Sequence, residues 1–402
     1  LTDVTGVQTC ALPIFRGAKG TVVNLKIFRR GEKELLDYTI IRDKIPILSL
    51  DAAYMLNEET GYVKFNKFAA TTEDEFEEAV AKLKKQKMKN IIIDLRNNGG
   101  GYMLASTEMA NHFFAEERLL VYIIGRKTPR QDYRSAGRGD LADTRLVVLT
   151  DENSASASEI LAGAVQDWDR GVVVGRRTFG KGLVQNGYYL TDGSMIRLTV
   201  ARYYTPTGRS IQSSYKDGYD NYMKNFVERY SNGEIFSADS IHLPDTLKYR
   251  TLINNRTVYG GGGIMPDVFV PQDTSFVSDY YISLLRKDIF RSFTLEYSDK
   301  NREKIKSEYN DFNDFRKNFS FTQNELRSFI SKGEEAGVKF NEEDYRHSEE
   351  QILLILKALV AGNLWQVNEY FMIFNEKDKV LARALEVIGN ETLYRKILGS
   401  AR

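Results

Sequence analysis

Apolar and polar residues change their period several times along the chain, and each change marks an element. Val23, Leu25 and Ile27 alternate with Asn24, Lys26 and Phe28; after "RRGEK", Leu36, Tyr38 and Ile40 alternate likewise. Two runs of period two predict a β-hairpin over 21–42, and a lone hairpin buries no core, so it reads as the surviving end of a small β domain. "DKIPILSLDAAYML" leads into a further short strand, "GYVKFNKF". At Thr72 the period lengthens. Phe76, Ala79, Val80 and Leu83 fall at i, i+3, i+4 and i+7 behind a T-x-x-E capping box of Thr72 and Glu75, which predicts a helix with one buried stripe.

"NIIIDL" is a continuous apolar run, as expected of a strand buried on both faces, and "RNNGGG" follows it. A helical stretch over about 104–114, strands "LLVYIIG" and "RLVVLT", a helix over about 158–167 and strand "GVVVG" complete the alternation. Strands alternating with helices predict a layered α/β domain with a mainly parallel sheet. "GYYLTDGSMIRLTVARYYTPTG" reads as a hairpin turning at Asp192-Gly193. Residues 214–258 read as a polar insertion with a helix near 219–231, and "GGGGIMPDVFVP" returns to extended chain. From about Asp273 the pattern is helical to the end, with Ser348 and Gln351 expected to cap "ILLILKALVAGNLW".

Bulk properties narrow the function classes. Lys plus Arg (56) nearly cancels Asp plus Glu (55), so no global field favours nucleic acid or an anionic membrane. No apolar run reaches the ~18 residues of a membrane span. A single cysteine, Cys10, excludes a disulfide framework or a multi-cysteine metal site. His112, His242 and His347 are scattered without metal-ligand spacing, so no metal or organic cofactor is expected. Val4–Ile14, "VTGVQTCALPI", matches the translation of a common sequencing adapter at all eleven positions, so residues 1–14 read as an artefact. Cys10 would then be foreign, and the missing leader would say nothing about compartment.

The chemistry lies at three loops. In "ENSASASEI", Ser156 stands where a strand turns into a helix; there it is either a helix cap or a nucleophile, whose oxyanion the helix N-terminus would favour. A serine needs a base. His112 is the only histidine in the α/β region and reads as core or surface rather than base. In "TFGKGLVQ", glycines flank Lys181 and allow close approach and drying, which favour a neutral amine; Gln185, at i+4, shares its face. The bland reading of GKG is a loop or an anion nest. "DLRNNGGG" is a flexible turn or a source of bare amides, with Gly100 or Gly101 pairing with the Ala157 N–H as oxyanion donors.

Taken in order, "GYVKFNKF", "DLRNNGGG", "SASASEILAGAVQD", "VGRRTFGKGLVQ", "YYTPTGRSIQ" and "GGGIMPDV" resemble the carboxy-terminal processing (tail-specific) proteases over roughly residues 20–271. The resemblance implies an α/β, crotonase-like core at 47–272 with its insertion at 214–258, a PDZ remnant at 15–46 and a C-terminal helical domain at 273–402. It assigns Ser156 as nucleophile, Lys181 as base 25 residues later, Gln185 as support for the lysine, and Gly101, Gly100 and Ala157 as oxyanion donors. Asp167, eleven residues past Ser156, carries over as structural support. Gly99 stands where many members have proline.

The expected function is a serine endopeptidase with a Ser-Lys dyad acting on unfolded or C-terminally tagged proteins in the periplasm or cell envelope. Its partners would be polypeptide substrates and no nucleic acid, with a homo-oligomer left open. Substrate is expected to pair with a strand edge near 200–204. The missing groove half of the PDZ domain keeps open a silent peptide-binding scaffold, and the related core keeps open a crotonase-type acyl-CoA enzyme.

Overall fold

The structure, a computed structural model, describes residues 15–28, 34–43, 48–213, 215 and 218–399. The adapter-like segment 1–14, with Cys10, lies outside them. The chain divides into a unit at 1–47 and a larger one at 48–402. In the first, β1 (Val22–Ile27) and β2 (Leu36–Ile41) form the expected antiparallel hairpin, Val22 opposite Ile41. Val23 and Leu25 are half-buried between exposed neighbours, as period two requires.

The larger unit begins β3 (Leu50–Met55), β4 (Thr60–Phe65), α1 (Thr72–Lys85), β5 (Asn90–Asp94), α2 (Met103–Asn111), β6 (Leu119–Ile124) and β7 (Gln131–Arg134). Then come β8 (Arg145–Thr150), α3 (Ala157–Asp167), β9 (Val172–Gly175), β10 (Leu183–Tyr189), β11 (Met195–Tyr204) and α4 (Gly218–Ser231). After β12 (Lys248–Arg250), β13 (Thr257–Tyr259) and β14 (Val268–Phe269) the chain is helical. A six-stranded sheet has the order β14–β9–β8–β5–β4–β3, parallel throughout except for β3. A second, antiparallel sheet has the order β10–β11–β6–β7.

Alternation inside the apolar strands explains why both sheet faces are covered. Ile91, Ile93, Leu146 and Val148 pack with Phe76, Val80 and Leu83 of α1, Met109 of α2, and Ile160, Leu161 and Val165 of α3. Their neighbours Ile92, Val147 and Leu149 point the other way. That face is closed by Val380, Leu381, Ala384, Val387 and Ile388, more than 230 residues further on. The C-terminal helices are α5 (Asp279–Arg286), α6 (Ile289–Glu308), α7 (Phe312–Asn318), α8 (Gln323–Glu335), α9 (Glu342–Leu364), α10 (Val367–Phe374), α11 (Lys379–Gly389) and α12 (Glu391–Ile397). Those from α5 to α9 hold apolar clusters of their own, whereas α11 and α12 lie on the sheet. None of the described helices is long and apolar enough to cross a membrane.

Several local expectations are corrected. Helix α1 is capped from Thr71, because Thr72 is buried inside it and bonds the Ala69 N–H (2.8 Å) and the Ser49 hydroxyl (2.7 Å). Glu75, expected to close a capping box, instead accepts the Ser49 and Leu50 amides at 2.9 and 2.8 Å and fixes the entry to β3. Ser348 is no cap: Asn341 caps α9, and Ser348 is buried within it, bonded to Ser278 and the Phe276 carbonyl at 2.7 Å each. Residues 200–204 are no free edge, since β11 there lies between β10 and β6. The polar strand β7 and the hairpin β12–β13 carry no apolar period and escaped the reading.

Candidate active site

Three serines alternate at the start of α3, and the fold treats them differently. Ser154 is buried and bonded to the Leu95 carbonyl at 2.8 Å; Ser158 is buried and bonded to the Asn98 carbonyl at 2.9 Å. Ser156 is half-buried and its hydroxyl makes no cap hydrogen bond, because the Glu159 N–H goes to the Ser156 carbonyl at 2.9 Å. Its backbone sits at φ +57°, ψ −114°, a conformation that costs a non-glycine residue on the order of 1–3 kcal/mol. The strain is held by the surroundings, since Glu159 accepts the Ser156 N–H at 2.8 Å and the Tyr203 hydroxyl lies 3.0 Å from the Ser156 carbonyl oxygen.

The glycine loop is laced to this elbow. The Asn98 carbonyl accepts the Ala155 N–H at 3.0 Å as well as the Ser158 hydroxyl. Gly100, at φ +95°, lies so near that a Cβ there would stand 2.6 Å from the Ala155 oxygen and 2.9 Å from the Ala157 nitrogen. Only glycine fits. A Cβ on Gly101 would fall 2.0 Å from the Phe68 oxygen. The amides divide differently from expectation. The Gly100 N–H already donates to Asn98 Oδ1 at 2.9 Å, so Gly100 is not a free oxyanion donor and serves the close approach instead. The Gly101 and Ala157 N–H groups have no partner among the described residues.

Lys181 follows a short loop after β9, and one buried carboxylate ties that loop to the serine elbow. Glu159 Oε2 accepts both the Ser156 N–H (2.8 Å) and the Lys181 N–H (2.9 Å). Its Oε1 accepts the Gly180 N–H (2.8 Å) and the Thr178 hydroxyl (2.5 Å). Burial pushes the Glu159 carboxyl above the ordinary glutamate range, and the four donors pull only partly against it. Tyr203 repeats the tie on the carbonyl side, its hydroxyl lying 3.0 Å from the Ser156 oxygen and 2.5 Å from the Lys181 oxygen. Burial, then the nearby Glu159 charge, pushes this phenol well above its usual value, so it remains a donor. Sequence reading missed both residues. The S-x-x-E spacing from Ser156 to Glu159 was a signal for the first; Tyr203 carried none.

Ser156, Lys181, Gln185, Gly100 and Gly101 line one cleft of about 730 Å³, whose walls include Phe68, Tyr102, Met103 and the start of β10. The Ser156 hydroxyl and Lys181 amine make no hydrogen bond with each other; the hydrogen bonds of Lys181 to Glu159 and Tyr203 run through its backbone. Lys181 is half-buried rather than dry. Gln185 is exposed on β10 and does not bond the lysine, which stands before the strand starts. Asp167 lies at the far end of α3, eleven residues and about 16 Å along the helix, fully buried. It accepts the Thr207 N–H (3.0 Å) and hydroxyl (2.8 Å) and faces buried Arg209 at 2.7 Å, which pins the turn after β11.

His112 does not line this cleft. It is buried against Phe76, with Nδ1 2.8 Å from Asp140. Glu73 and Glu77 bring carboxylates within 4.8 Å of its ring nitrogens, but Arg138 already neutralises them at 3.4 and 2.6 Å. That group is an ion-pair network. A second network couples the glycine loop to the C-terminal helices: Arg96 bridges Asp94 and Asp378, the α11 cap, at 2.6 Å each. Burial raises the Asp94 carboxyl, but Arg96 and Lys64 overcome it and hold the group well below the usual range.

A strained serine elbow on a mostly parallel α/β sheet and a lysine lining the same cleft are groups that serine-based hydrolysis can use. Residues 59–218 match the model of peptidase family S41. Residues 280–366 match a family of unknown function. The chain is 36% identical over 217 residues to a carboxyl-terminal-processing protease of Synechocystis, covering 52% of this chain and 50% of that one. It is 34% identical over 235 residues to the carboxy-terminal processing protease CtpB of Bacillus subtilis, covering 58% and 47%. The chain thus spans about half the length of the curated relatives it matches. A solved photosystem II D1 C-terminal processing protease is 33% identical, covering 49% of this chain and 54% of that one with a TM-score of 0.37.

Proposed function

We propose that this chain is a carboxy-terminal processing endopeptidase working through a Ser156–Lys181 dyad on a crotonase-like core, with 15–46 as the remnant of a PDZ domain. The observation that carries this reading is the shared anchor: one carboxylate oxygen of Glu159 accepts the backbone N–H of both residues, beside a common cleft. In the proposed reaction the neutral Lys181 amine takes the Ser156 proton as the hydroxyl oxygen attacks the peptide carbonyl. The oxyanion rests on the Gly101 and Ala157 N–H groups, and the lysine then gives its proton to the leaving amine. Losing one such donor raises the barrier by ~3–4 kcal/mol. The hydroxyl and amine close to bonding distance when substrate fills the cleft, a tightening common between free and substrate-bound enzymes. Gln185 steadies the amine in that closed form.

Extended substrate pairs with the free edge of β10, which begins two residues after Lys181. The substrates are unfolded or C-terminally tagged polypeptides, and the place of action is the periplasm or cell envelope. Cleavage of denatured casein by the parent protein, compared with Ser156→Ala and Lys181→Ala, tests the dyad. Parent turnover lost in both variants supports it. Equal, near-zero turnover in all three favours a silent peptide-binding scaffold, the reading that the open Ser156–Lys181 pair favours.

A further inference from the structure

Period two on the hairpin β10–β11 sets one set of side chains over the cleft: Leu183, Gln185 and Tyr189 from β10, Met195 and Arg197 from β11. Arg197 stands opposite Gly187, which has no side chain to cover the guanidinium. Four half-buried or buried arginines of the core are paired, Arg176 with Glu152, Arg177 with Glu234, Arg209 with Asp167 and Arg256 with Asp169. Exposed Arg126 and Arg202, like Arg197, have no ion pair among the described residues, and of these three only Arg197 lines the cleft. Arg197 has no ion pair or hydrogen bond among the described residues, and it is exposed. No Asp or Glu lines the cleft, whose cations are Lys181 and Arg197. Glu159 offers no counter-charge to a guanidinium, being fully buried with both oxygens filled by four donors.

We propose that Arg197 forms a carboxylate subsite, through which the cleft selects peptides carrying an acidic side chain or a free C-terminal carboxylate beside the segment held at Ser156. The inference rests on the peptidase reading of the site and narrows its substrate class. A guanidinium presents two parallel N–H donors that match a carboxylate. Leu183, Tyr189 and Met195 line the same cleft and offer apolar contact to the rest of the peptide. The pair would form only with substrate bound, which accounts for the guanidinium being unpaired in the free protein.

Binding to the Ser156→Ala protein tests this without turnover. The probes are fluorescent short apolar peptides with Glu or Gln at one central position, walked along the peptide, and with the C-terminus free or amidated. Anisotropy should show roughly fivefold tighter binding of a carboxylate-bearing version at low salt, shrinking as salt rises. In Arg197→Gln the difference should vanish, and in Arg197→Lys part of it should survive. Glu against Gln, and free against amidated ends, separate the two sources of the carboxylate. Equal affinities in the Arg197 protein, the same preference persisting in Arg197→Gln, or no binding of any peptide would overturn the proposal. Casein left uncut by the parent protein would count against the peptidase reading alone.

Discussion

The cleft has two walls built on opposite principles. One is the serine elbow and lysine loop, where the Glu159 carboxylate and Tyr203 hydroxyl gather backbone groups from both segments in the dry interior. The other is the hairpin β10–β11, where every residue from Gln185 to Thr199 is exposed, including Tyr189 at 79% and Leu198 at 52%. The difference teaches where each property comes from. Buried polar groups are costly when unsatisfied and therefore hold geometry, whereas an exposed two-stranded arm has little to lose and is free to fit what it touches.

The sharpest way to break that contrast is Glu159→Ala. It leaves the Ser156, Gly180 and Lys181 amides without their acceptor, and each buried donor so stranded costs about 1–3 kcal/mol. Urea unfolding should show a loss on the order of 3–5 kcal/mol, with casein cleavage falling to the Ser156→Ala level. A loss below about 0.5 kcal/mol would mean the anchor does not hold the site. The same residue sets an acid limit. Because its carboxyl is raised by burial, the native state binds more protons than the unfolded one between the ordinary glutamate value and the raised one. Stability should therefore fall as pH rises through that window, while cleavage, which needs the ionised acceptor, rises. Glu159→Gln should abolish that limb of the pH profile.

Next in size is Gly100→Ala, whose new Cβ would crowd the Ala155 oxygen and Ser156 Cβ at 2.6 and 2.7 Å with φ at +95°. About 2 kcal/mol of stability should go, and cleavage with it, since the elbow must move. Tyr203→Phe should cost about 1 kcal/mol and lower kcat more than it raises KM, because it loosens the Ser156 and Lys181 carbonyls while the ring that lines the cleft stays in place.

What could be read beforehand follows the range of the interactions. The strands of the parallel sheet, helix α3 and the hairpin turn at Asp192-Gly193 were legible because period and turn chemistry are local. The choice of Ser156 among the three serines came from the family resemblance, since local pattern left it open between a helix cap and a nucleophile. The cover on the second sheet face was not legible, since Val380 to Ile388 meet Ile92 and Val147 only after the chain returns. Glu159 bonds the Ser156 amide three residues back, a contact that local spacing allows; its hold on Gly180 and Lys181 needs the fold to bring β9's loop alongside. Drying of Lys181 was expected from its flanking glycines, yet the open cleft leaves it half-exposed. The Arg96–Asp378 pair likewise joins segments that no local pattern connects.

The smallest effects belong to the hairpin. Ile196 and Leu198 point away from the cleft side that carries Arg197 and are 44% and 52% exposed. Serine at either position removes little buried apolar area, so the urea midpoint should shift by less than about 0.5 kcal/mol equivalent. Tyr189→Ser, on the cleft side, should be equally quiet in urea but should raise KM for casein with kcat held, the mark of a contact made alike in the ground and transition states. If instead Leu198→Ser cost as much as Tyr203→Phe, the arm would be packed in solution against something besides the cleft. The two walls would then owe their geometry to the same cause, buried contact, and the contrast between them would go.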